Sequence, residues 1–523
     1  MSTAGGMQYD AIVVGGGHNG LVCASYLARG GHRVLVLEAA PRVGGAAVTR
    51  EFAPGFKVSA CAHLLHLMPP ALIRELDLGS HGLKLAAAAL PTVALAEDSR
   101  HLNLGPGSLA ALAARSATDA AALADWQALS QRLSRALHPL LGSTPPRLGS
   151  DAWRDAYDLL GIGWRIRRLG RHDMRELLRI GGMCVHDLLE ERFSLPLLKG
   201  VLALDAVLGT NLGPRSPGTV MSLLYRLAAS GAAEALALPQ GGLGALSEAL
   251  AGAARSAGAE VRTSSAVERI LVRDDHVAGV RLSSGEELAA RTVVSSADPK
   301  STFLGLLGAE HLDAGFVRRV SQLRSRGLTA KLHLALDRLP QFRGLDGEAL
   351  RGRLLVAPSA DYIERAYNHT KYNECSRSPM LEITIPTLAD PGLAPTGRHV
   401  MSVIVQYAPY ALTGGWESQR QAFTDCIIDA LAAYAPQLRD GISASELLTP
   451  QDLEREFRMT GGHWHHAELA LDQFLMLRPV PGAAQYRAPV PGLYLCGAGC
   501  HPGGGVMGLA GRNAARQVIR EAA

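Results

Sequence analysis

A glycine-rich turn directly after a short apolar run constrains this chain more than any other feature. The run Tyr9–Val14 is almost wholly apolar, as in a buried parallel strand, and it ends at Gly-Gly-Gly-His-Asn-Gly, residues 15–20. Good helix formers follow from Leu21 to Ala28, and a second buried strand is predicted over residues 33–37, just before Glu38. The order strand, glycine turn, helix, strand predicts a βαβ unit of an α/β domain.

Each position of this turn has a role in binding a dinucleotide. Gly15 permits the tight turn, Gly17 lets the backbone approach a pyrophosphate, and Gly20 lets the helix pack closely on the strand. The helix N-terminus offers unpaired N–H groups and a positive dipole end to the phosphates. Glu38 is placed to accept hydrogen bonds from an adenosine ribose. The alternative is a glycine turn with a structural role alone, which leaves the spacing to the acid unexplained.

The residues after Glu38 narrow the choice of dinucleotide. Arg42, Gly44 and Gly45 follow in the pattern Arg-x-Gly-Gly. The redox cysteine pair of disulfide reductases does not follow, which argues against thiol–disulfide chemistry. A second glycine cluster at residues 241–246 lacks the last glycine of the fingerprint and follows no clear strand. A tightly bound NAD(P) is therefore not predicted.

A third glycine cluster lies near the other end of the chain. Residues 491–497 are typical of a turn and a short strand, and residues 498–508 lead into a predicted final helix through Glu521. The positive end of that helix dipole suits a flavin ring that becomes anionic on reduction. The two ends of the chain are therefore predicted to form one nucleotide site.

The motifs of both ends resemble those of phytoene-desaturase-type flavoproteins in the carotenoid desaturase and amine oxidase superfamily. The likeness is greatest to the pyridine nucleotide-disulphide oxidoreductase domain-containing protein 2 branch, on Arg42-x-Gly44-Gly45, Phe52–Phe56, Arg478-Pro479 and Gly511–Ala514. It implies FAD as cofactor and an α/β fold: a glutathione-reductase-like (GR2) Rossmann FAD-binding domain with a discontinuous α+β substrate or cap domain. The residues that it implies at the FAD are Gly15, Gly17, His18, Asn19, Gly20, Glu38, Ala39, Arg42, Gly44, Gly45, Ala46, Val267, Gly497, Ala498, His501, Gly505, Val506 and Met507.

The length of 523 residues exceeds what one domain of ordinary size needs. Between residues 239 and 296 the pattern predicts a helix followed by strands, and in the resembled family this block returns to the nucleotide domain. The predicted FAD-binding domain comprises residues 1–85, 236–300 and 456–523, and the predicted substrate or cap domain comprises residues 86–235 and 301–455.

Composition argues against several classes of function. Hydrophobic residues make up 47% and charged residues 19% of the chain, a globular profile. A net charge of +4 gives no field of the kind that nucleic-acid binding needs, so no nucleic-acid partner is expected. Seven cysteines without a Cys-x-x-Cys pair favour a reducing compartment, and neither a signal peptide nor a membrane span is predicted. We therefore expect a cytoplasmic protein.

Four residues are candidates for contact with the flavin or the substrate. His466 ends a Gly-Gly stretch that the resembled family places at the flavin cavity, with a satisfied core histidine as the alternative. Asp472 shares a helix face with Glu468 if that segment is helical, and is a candidate base, with a surface or capping role as the alternative. His63 and His66 are candidates for the substrate cavity, with core packing as the alternative.

A metal site and a covalent flavin are not expected. The run His463–His466 looks like a metal motif, but His-x-His in a strand places only two ligands on one face. Cys500 is interpreted as a small buried thiol rather than as the attachment point of the flavin.

The resemblance implies an FAD-dependent oxidoreductase that takes hydride from a C–H bond of a lipophilic or polyene small molecule. Desaturation, saturation and isomerisation all fit that chemistry. The alternatives are a flavin amine or amino-acid oxidase and a flavin-binding protein with a mainly non-catalytic partner role. The electron acceptor is left open among oxygen, a quinone and another protein. The basic amphipathic stretch 164–179 is interpreted first as a solvated helix face, and second as a peripheral contact with an anionic membrane.

Overall fold

The computed structural model describes residues 9–105, 107–149, 151–230 and 236–522. Residues 1–8 and 523 of the predicted FAD-binding segments, and 106, 150 and 231–235 of the predicted cap segments, lie outside the described residues. The strands are β1 (Tyr9–Val14), β2 (Val34–Leu37), β3 (Thr49–Ala53), β4 (Phe56–Ser59), β5 (Leu85–Ala87), β6 (Thr92–Ala94), β7 (Leu102–Asn103), β8 (Leu238–Pro239), β9 (Glu260–Arg262), β10 (Val267–Arg273), β11 (His276–Leu282), β12 (Glu287–Ser295), β13 (Thr329–Leu336), β14 (Arg353–Val356), β15 (Met380–Thr384), β16 (His399–Gln406), β17 (Ile442–Leu448) and β18 (Leu493–Leu495).

Helices join and cover these strands. The α-helices are α1 (His18–Arg29), α2 (Pro70–Glu75), α3 (Ser108–Arg115), α4 (Ala117–Leu141), α5 (Trp153–Arg167), α6 (Gly170–Ile180), α7 (Val185–Arg192), α8 (Pro196–Val207), α9 (Thr219–Ser230), α10 (Leu243–Ser256), α11 (Ala314–Ser321), α12 (Gly347–Leu350), α13 (Ala360–Thr370), α14 (Trp416–Ala432), α15 (Pro450–Phe457) and α16 (Leu509–Ala522). A π-helical segment spans Ser301–Leu307, and short 3-10 turns span Ala309–His311, Pro386–Leu388, Pro391–Leu393, Arg439–Gly441, Thr460–Gly462, Leu471–Gln473 and Leu475–Leu477.

The first sheet is parallel at its centre, in the order β9-β2-β1-β12-β18. Its register brings the carboxyl ends of four strands to one edge: Val14 pairs with Leu37 and Ser295, and Ser295 pairs with Leu495. The amino-terminal part of β12 pairs antiparallel with β11, which pairs with β10. Ligands of open α/β sheets bind beyond such carboxyl ends. The fold therefore places residues 15, 38, 296 and 496 at the edge where a ligand is expected.

Burial on both faces explains the apolar runs of the central strands. Ile12, Val13, Leu35 and Val36 are fully buried, as expected for parallel strands with helices on either side. Helix α1 packs against α10 and α16. The contact with α16 is close, because a Cβ at Gly511 would lie 2.0 Å from the Asn19 carbonyl oxygen. The last helix of the chain is thereby fixed on the first.

The second sheet has the order β17-β13-β16-β15-β14-β6-β7 and two different faces. Leu332, Val403 and Ile427 belong to one hydrophobic cluster, so α14 covers the apolar face. On the other face, cross-strand register places Lys331 beside Ile404 and Ile404 beside Glu382. These polar side chains are buried although they alternate with apolar ones. A polar face buried inside a protein is a candidate wall for a binding site.

The two sheets draw their strands from different parts of the chain. The parallel sheet takes its strands from residues 9–37, 260–295 and 493–495, all inside the predicted FAD-binding segments. The second sheet takes its strands from residues 92–103 and 329–448, inside the two predicted cap segments. This distribution supports the discontinuous arrangement, while the domain boundaries themselves stay a prediction.

Local structure differs from the sequence interpretation in three segments. The stretch 164–179 is not one helix, because α5 ends at Arg167 and α6 begins at Gly170, whose φ of +85° breaks the helix. Residues 463–466 form turns and not a strand. The segment from Glu468 to Asp472 is also not an α-helix, since a single 3-10 turn occupies Leu471–Gln473. Glu468 and Asp472 therefore do not share a helix face.

Candidate cofactor and substrate site

A cavity of about 1390 Å³ lies at the carboxyl edge of the parallel sheet. It exceeds the roughly 300–1,000 Å³ of a typical small-molecule site, so it can hold a dinucleotide together with part of a substrate. The first and third glycine clusters both contribute to its wall. The predicted FAD residues that line it are Gly15, Gly17, His18, Asn19, Glu38, Ala39, Arg42, Gly45, Ala46, Val267, Ala498, Gly505 and Val506.

Gly17 forms the part of the wall that suits a pyrophosphate. It caps α1 with backbone alone, and a Cβ built there meets no atom of the described residues within 4 Å. Gly17, His18 and Asn19 line the cavity, so the N-terminal turn of α1, with its free N–H groups, borders open space, as phosphate binding requires. Gly20 has a different role, because a Cβ there would lie 2.1 Å from the Gly15 carbonyl oxygen. The tight turn and the close helix contact are both present.

Glu38 is held in place by backbone groups of the same edge. Its Oε2 accepts a hydrogen bond from the Gly16 N–H at 2.7 Å, and its Oε1 accepts one from the Ala40 N–H at 2.8 Å. Each carboxylate oxygen retains a lone pair that can accept a further hydrogen bond. The carboxylate is thus oriented at the cavity wall, where it can accept hydrogen bonds from ribose hydroxyls.

Some predicted FAD residues support the wall without lining it. A Cβ at Gly497 would lie 2.4 Å from the Ser296 carbonyl oxygen, and one at Gly44 would lie 2.8 Å from the Ala47 carbonyl oxygen, so both glycines permit close backbone packing. The His501 imidazole bonds through Nε2 to the Leu140 carbonyl oxygen at 2.8 Å. Met507 is buried, with its sulfur 3.9 Å from the Tyr225 hydroxyl. His501 and Met507 therefore pack against the residues that line the cavity and do not line it themselves.

The residues present fit FAD. The buried Nε2 of His18 and the buried Oδ1 of Asn19 have no hydrogen-bond partner among the described residues, although both side chains line the cavity. Buried polar atoms without partners are costly, and a polar ligand would satisfy them. Gly17, Glu38 and the α1 N-terminus supply the matching phosphate and ribose contacts. We call Gly17, Glu38 and the α1 N-terminus the FAD cradle. This cradle has the shape and the polar groups that a dinucleotide needs.

His466 lines the same cavity beside His465. The Nδ1 atoms of both are buried without partners within the described residues. Burial lowers the pKa of His466 despite the opposing charge of Asp298, and burial lowers that of His465 well below its usual range. Both imidazoles are neutral near pH 7 and can donate or accept a hydrogen bond. The placement agrees with the predicted cavity position of His466, while its role stays a prediction.

Asp472 lies apart from the cavity, and its proposed catalytic role is not supported. Its side chain is 61% exposed and pairs with Arg324 at 2.6 Å. Glu468, by contrast, is buried, and its Oε2 accepts a hydrogen bond from the Asn211 N–H at 2.8 Å. The spacing of Glu468 and Asp472 would bring the two acids together only on an α-helix, and this segment forms no α-helix.

His63 and His66, the two candidates for the substrate cavity, both line it, while their role stays a prediction. The Nε2 of His63 lies 2.9 Å from Glu382 Oε1, and Glu382 Oε2 accepts a hydrogen bond from Arg353 Nε at 2.6 Å. Burial lowers the pKa of His63 to about 4 and that of His66 to about 3. Burial would raise the pKa of Glu382, but Arg353 and His63 outweigh it and hold that pKa well below its usual range.

Sequence reasoning missed the charged residues of the cap wall. Arg226 and Glu382 line the cavity, and Lys331 lies on the same sheet face as Glu382, buried, with no acceptor for Nζ among the described residues. Burial lowers the pKa of Lys331 to about 7, so part of the population is a neutral amine at neutral pH. The signal was present in the sequence as Thr-Ala-Lys-Leu-His-Leu, in which polar residues alternate along β13.

The described residues contain neither a candidate metal site nor a candidate membrane span. No group of three or more His, Cys, Asp or Glu in the described ranges is arranged to hold a metal ion. Among the helices of those ranges, none combines the length and the apolar character that a bilayer span demands.

The parallel sheet, the glycine cradle and the capped cavity together define an FAD-binding oxidoreductase. The chain belongs to the family of flavin containing amine oxidoreductases, whose model matches residues 20–519. It is 39% identical over 552 residues to the mouse (Mus musculus) pyridine nucleotide-disulfide oxidoreductase domain-containing protein 2, covering 98% of this chain and 94% of that protein. The resemblance to this branch, the fold class and the FAD cofactor are thereby confirmed.

Other relatives are named for their reactions. A limonene dehydrogenase component of Castellaniella defragrans is 27% identical over 544 residues, covering 98% of this chain and 95% of that protein. The neurosporene-forming phytoene desaturase of Cereibacter sphaeroides is 26% identical over 289 residues, covering 52% of this chain and 51% of that protein. An oxidoreductase structure from Methanosarcina mazei matches with a TM-score of 0.63 at 19% identity, covering 98% of this chain and 99% of that one, and shows the same fold.

Proposed function

We propose that this oxidoreductase removes hydrogen from a C–H bond of a lipophilic small molecule, in a desaturation or a related saturation or isomerisation. The observation that carries the proposal is the continuity of the cavity, since the FAD cradle and cap residues such as Leu208 and Ile404 line one space. Bound FAD supplies the hydride acceptor. The protein orients the substrate and excludes water with the apolar part of the cap wall, which includes Leu208 and Ile404. The names of the limonene and phytoene relatives support a substrate of this class.

An amine oxidase is the first alternative. The family description favours it, but the cavity wall offers little to hold an amine. Among the described lining residues the aromatic ones are Phe457 and Trp464, and the carboxylate of Glu382 is already paired with Arg353 and His63. A cationic substrate would therefore find neither an aromatic cage nor a free buried carboxylate there.

Reduction of the bound flavin by added compounds, followed in the visible spectrum, separates the enzyme hypotheses from a non-catalytic role. An FAD enzyme shows flavin bands near ~450 nm, and its substrate bleaches them in the absence of oxygen. We expect bleaching by unsaturated or saturated terpenoid and fatty compounds, and none by simple amines. Bleaching by amines alone would establish the amine oxidase alternative. A flavin that binds but is reduced by neither class would leave partner binding as the function.

We also propose that the protein contacts an anionic membrane surface through α5. The spacing of Trp153, Tyr157, Leu160 and Trp164 places them on one face of that helix, and each is at least 65% exposed. The exposed arginines Arg165, Arg167, Arg168, Arg171 and Arg175 follow the last of them. An exposed apolar stripe next to basic side chains is typical of helices that lie in a membrane interface. This surface extends the predicted contact at 164–179 toward the start of α5.

A further inference from the structure

The cap end of the cavity contains a buried network in which most charges are paired. Arg353 donates from Nη2 to Asp205 at 2.7 Å and from Nε to Glu382 at 2.6 Å. Glu382 also lies 2.9 Å from His63 Nε2. These contacts occupy both carboxylates of the network. A buried ion pair of this kind leaves no acid free to bind a substrate cation.

Arg226, on α9, belongs to the same network but is less fully paired than Arg353. Its ion pair among the described residues is with Asp205, at 3.4 Å, which is longer than the 2.7 Å between Arg353 and Asp205. Its Nε is buried and has no acceptor in the described part of the chain. The side chain is 13% exposed and lines the cavity. A guanidinium with spare donors in a confined space requires an acceptor.

The neighbours of Arg226 at the cavity wall also have spare hydrogen-bonding capacity. The Nδ1 atoms of His66 and His465 are buried without partners in the described ranges, and both side chains line the cavity. Burial lowers the pKa of both histidines, and the charge of Arg226 lowers it further. The imidazoles are therefore neutral, and each can donate one hydrogen bond from one of its nitrogens. Each neutral imidazole has one donor and one acceptor, whereas Arg226 has donors alone, so donor capacity exceeds acceptor capacity at this end of the cavity.

We infer that the substrate is a lipophilic carboxylic acid, and that Arg226 binds its carboxylate, with His66 and His465 as further donors. A planar guanidinium matches two carboxylate oxygens, and a charge-assisted pair is strong where water is excluded. The apolar remainder of the molecule would lie along Leu208 and Ile404 toward the flavin. An amine in the same place would face the positive charge of Arg226. This inference rests on the proposed function, because it assigns the polar end of a lipophilic substrate.

The test compares three ligands of equal chain length on the FAD-loaded protein: decanoate, decanol and decylamine. Binding is measured from the change in the flavin absorption spectrum. We expect decanoate to bind at least about tenfold more tightly than decanol, and decylamine to bind most weakly. Equal binding of the acid and the alcohol, or tighter binding of the amine, would overturn the inference.

Two substitutions assign the effect to Arg226. Arg226→Met removes the guanidinium while Asp205 keeps its bond to Arg353, so we expect a folded, flavin-loaded variant that has lost the preference for decanoate. Arg226→Lys keeps the charge without the planar fork and should retain part of that preference. The exposed Arg318→Met should bind all three ligands as the parent protein does. Retention of the full preference in Arg226→Met would contradict the assignment.

The outcomes separate this inference from the proposed function. A purified protein that carries no flavin and cannot be reconstituted with FAD contradicts the proposed function itself. A flavin-loaded protein that is reduced by lipophilic neutral compounds, and that shows no carboxylate preference, contradicts only the role of Arg226.

Discussion

At the scale of single residues, Gly17 gives the sharpest test of the cradle. Its φ of −71° is accessible to any residue, and the space beside its Cα is open. Gly17→Val should therefore fold, while its side chain occupies the space that the diphosphate needs. We expect the variant to bind FAD at least about tenfold more weakly than the parent protein. The flavin absorbance of the purified protein measures this change.

Gly79→Val is the matched control for this substitution. Gly79 is exposed, its φ is not in the left-handed region, and a Cβ there also meets no atom of the described residues within 4 Å. Its flavin content should equal that of the parent protein. Full FAD occupancy in Gly17→Val would show that the dinucleotide does not pass over this turn.

Lys331 makes stability depend on pH above neutrality. Its pKa is about 7 in the folded protein and about 10.5 in the unfolded chain, so between these values the unfolded state binds the extra proton. Stability should therefore rise with pH from about 7 to about 10.5. Lys331→Met should remove this dependence and stabilise the protein near pH 7 by roughly 1–4 kcal/mol. Urea unfolding measures both effects.

The exposed Lys84→Met is the control for Lys331 and should leave the profile unchanged. If the unfolding free energy of Lys331→Met still rose with pH between about 7 and about 10.5, another group would be titrating in this range.

The buried histidines make the protein sensitive to acid. Burial lowers the pKa of His18, His63 and His501 to about 4 and that of His66 to about 3, from an unfolded value of about 6.5. The unfolded state takes up protons first, so stability is lost as pH falls from about 6.5 to about 4. Each histidine contributes up to about 1.4 kcal/mol per pH unit. His501→Gln should flatten the curve of unfolding free energy against pH.

His311→Gln provides the comparison, since His311 is exposed. If His311→Gln reduced the loss of stability in acid as much as His501→Gln does, burial of the histidine would not be the cause of that loss.

At the scale of elements, α5 carries the membrane hypothesis. Replacing Trp153 and Trp164 together by serine removes two exposed apolar side chains without touching the core. We expect binding to phosphatidylglycerol-containing vesicles, measured by cosedimentation, to fall at least about tenfold. Binding of the parent protein should weaken with salt and be absent on neutral vesicles.

Tyr372→Ser is the control, because Tyr372 is 73% exposed but lies in the turn after α13, away from α5 in sequence. If the parent protein bound no vesicles and the double substitution converted a dimer to a monomer, the stripe would instead be an interface between copies of this chain.

The elements also show which sequence signals could be trusted. The βαβ unit, the strands of residues 260–295 and the final helix were predictable, because apolar runs and glycine turns reflect local backbone needs. The segment from His463 to Asp472 was not, since its turns depend on contacts with distant parts of the chain. The Glu468 N–H, for example, donates a hydrogen bond to the Arg324 carbonyl oxygen at 2.8 Å, and Glu468 Oε2 accepts one from the Asn211 N–H. No periodicity in the sequence encodes such a contact.

At the scale of the whole molecule, the cavity belongs to both sheets, so the cofactor should stabilise the entire fold. A ligand that binds only the folded state raises the free energy of unfolding by about 2.7 kcal/mol when its free concentration is 100 times its Kd. Removing FAD should therefore lower the melting temperature by several degrees in one concerted transition. Calorimetry of the FAD-loaded and FAD-free protein measures this, and titration with FAD should restore the transition.

An unchanged melting temperature after removal of FAD would contradict a shared cavity. Two separated transitions would show that the sheets unfold independently.

The candidate site was predictable from sequence mainly in its nucleotide half, together with the cavity positions of His63, His66 and His466. Thirteen of the FAD residues that the resemblance implies line the cavity. For Gly15, Gly17 and His18 the reason is local, because a tight turn and a helix start fix their positions. The charged wall of the cap was not foreseen, since Asp205, Arg226, Arg353 and Glu382 come from four separate elements. Only the pairing order of the second sheet brings Glu382 and Arg353 together.

The contact between the first and last helices has a consequence for how the protein is made. Asn19 and Gly511 touch across α1 and α16, and Gly15 and Gly505 line one cavity. During synthesis the N-terminal βαβ unit leaves the ribosome long before residues 497–522 exist. The nascent chain therefore has only half of its cofactor site, and FAD can be retained only once residues 497–522 have been made. Loss of the last helix should yield a colourless protein even though the fingerprint itself remains intact.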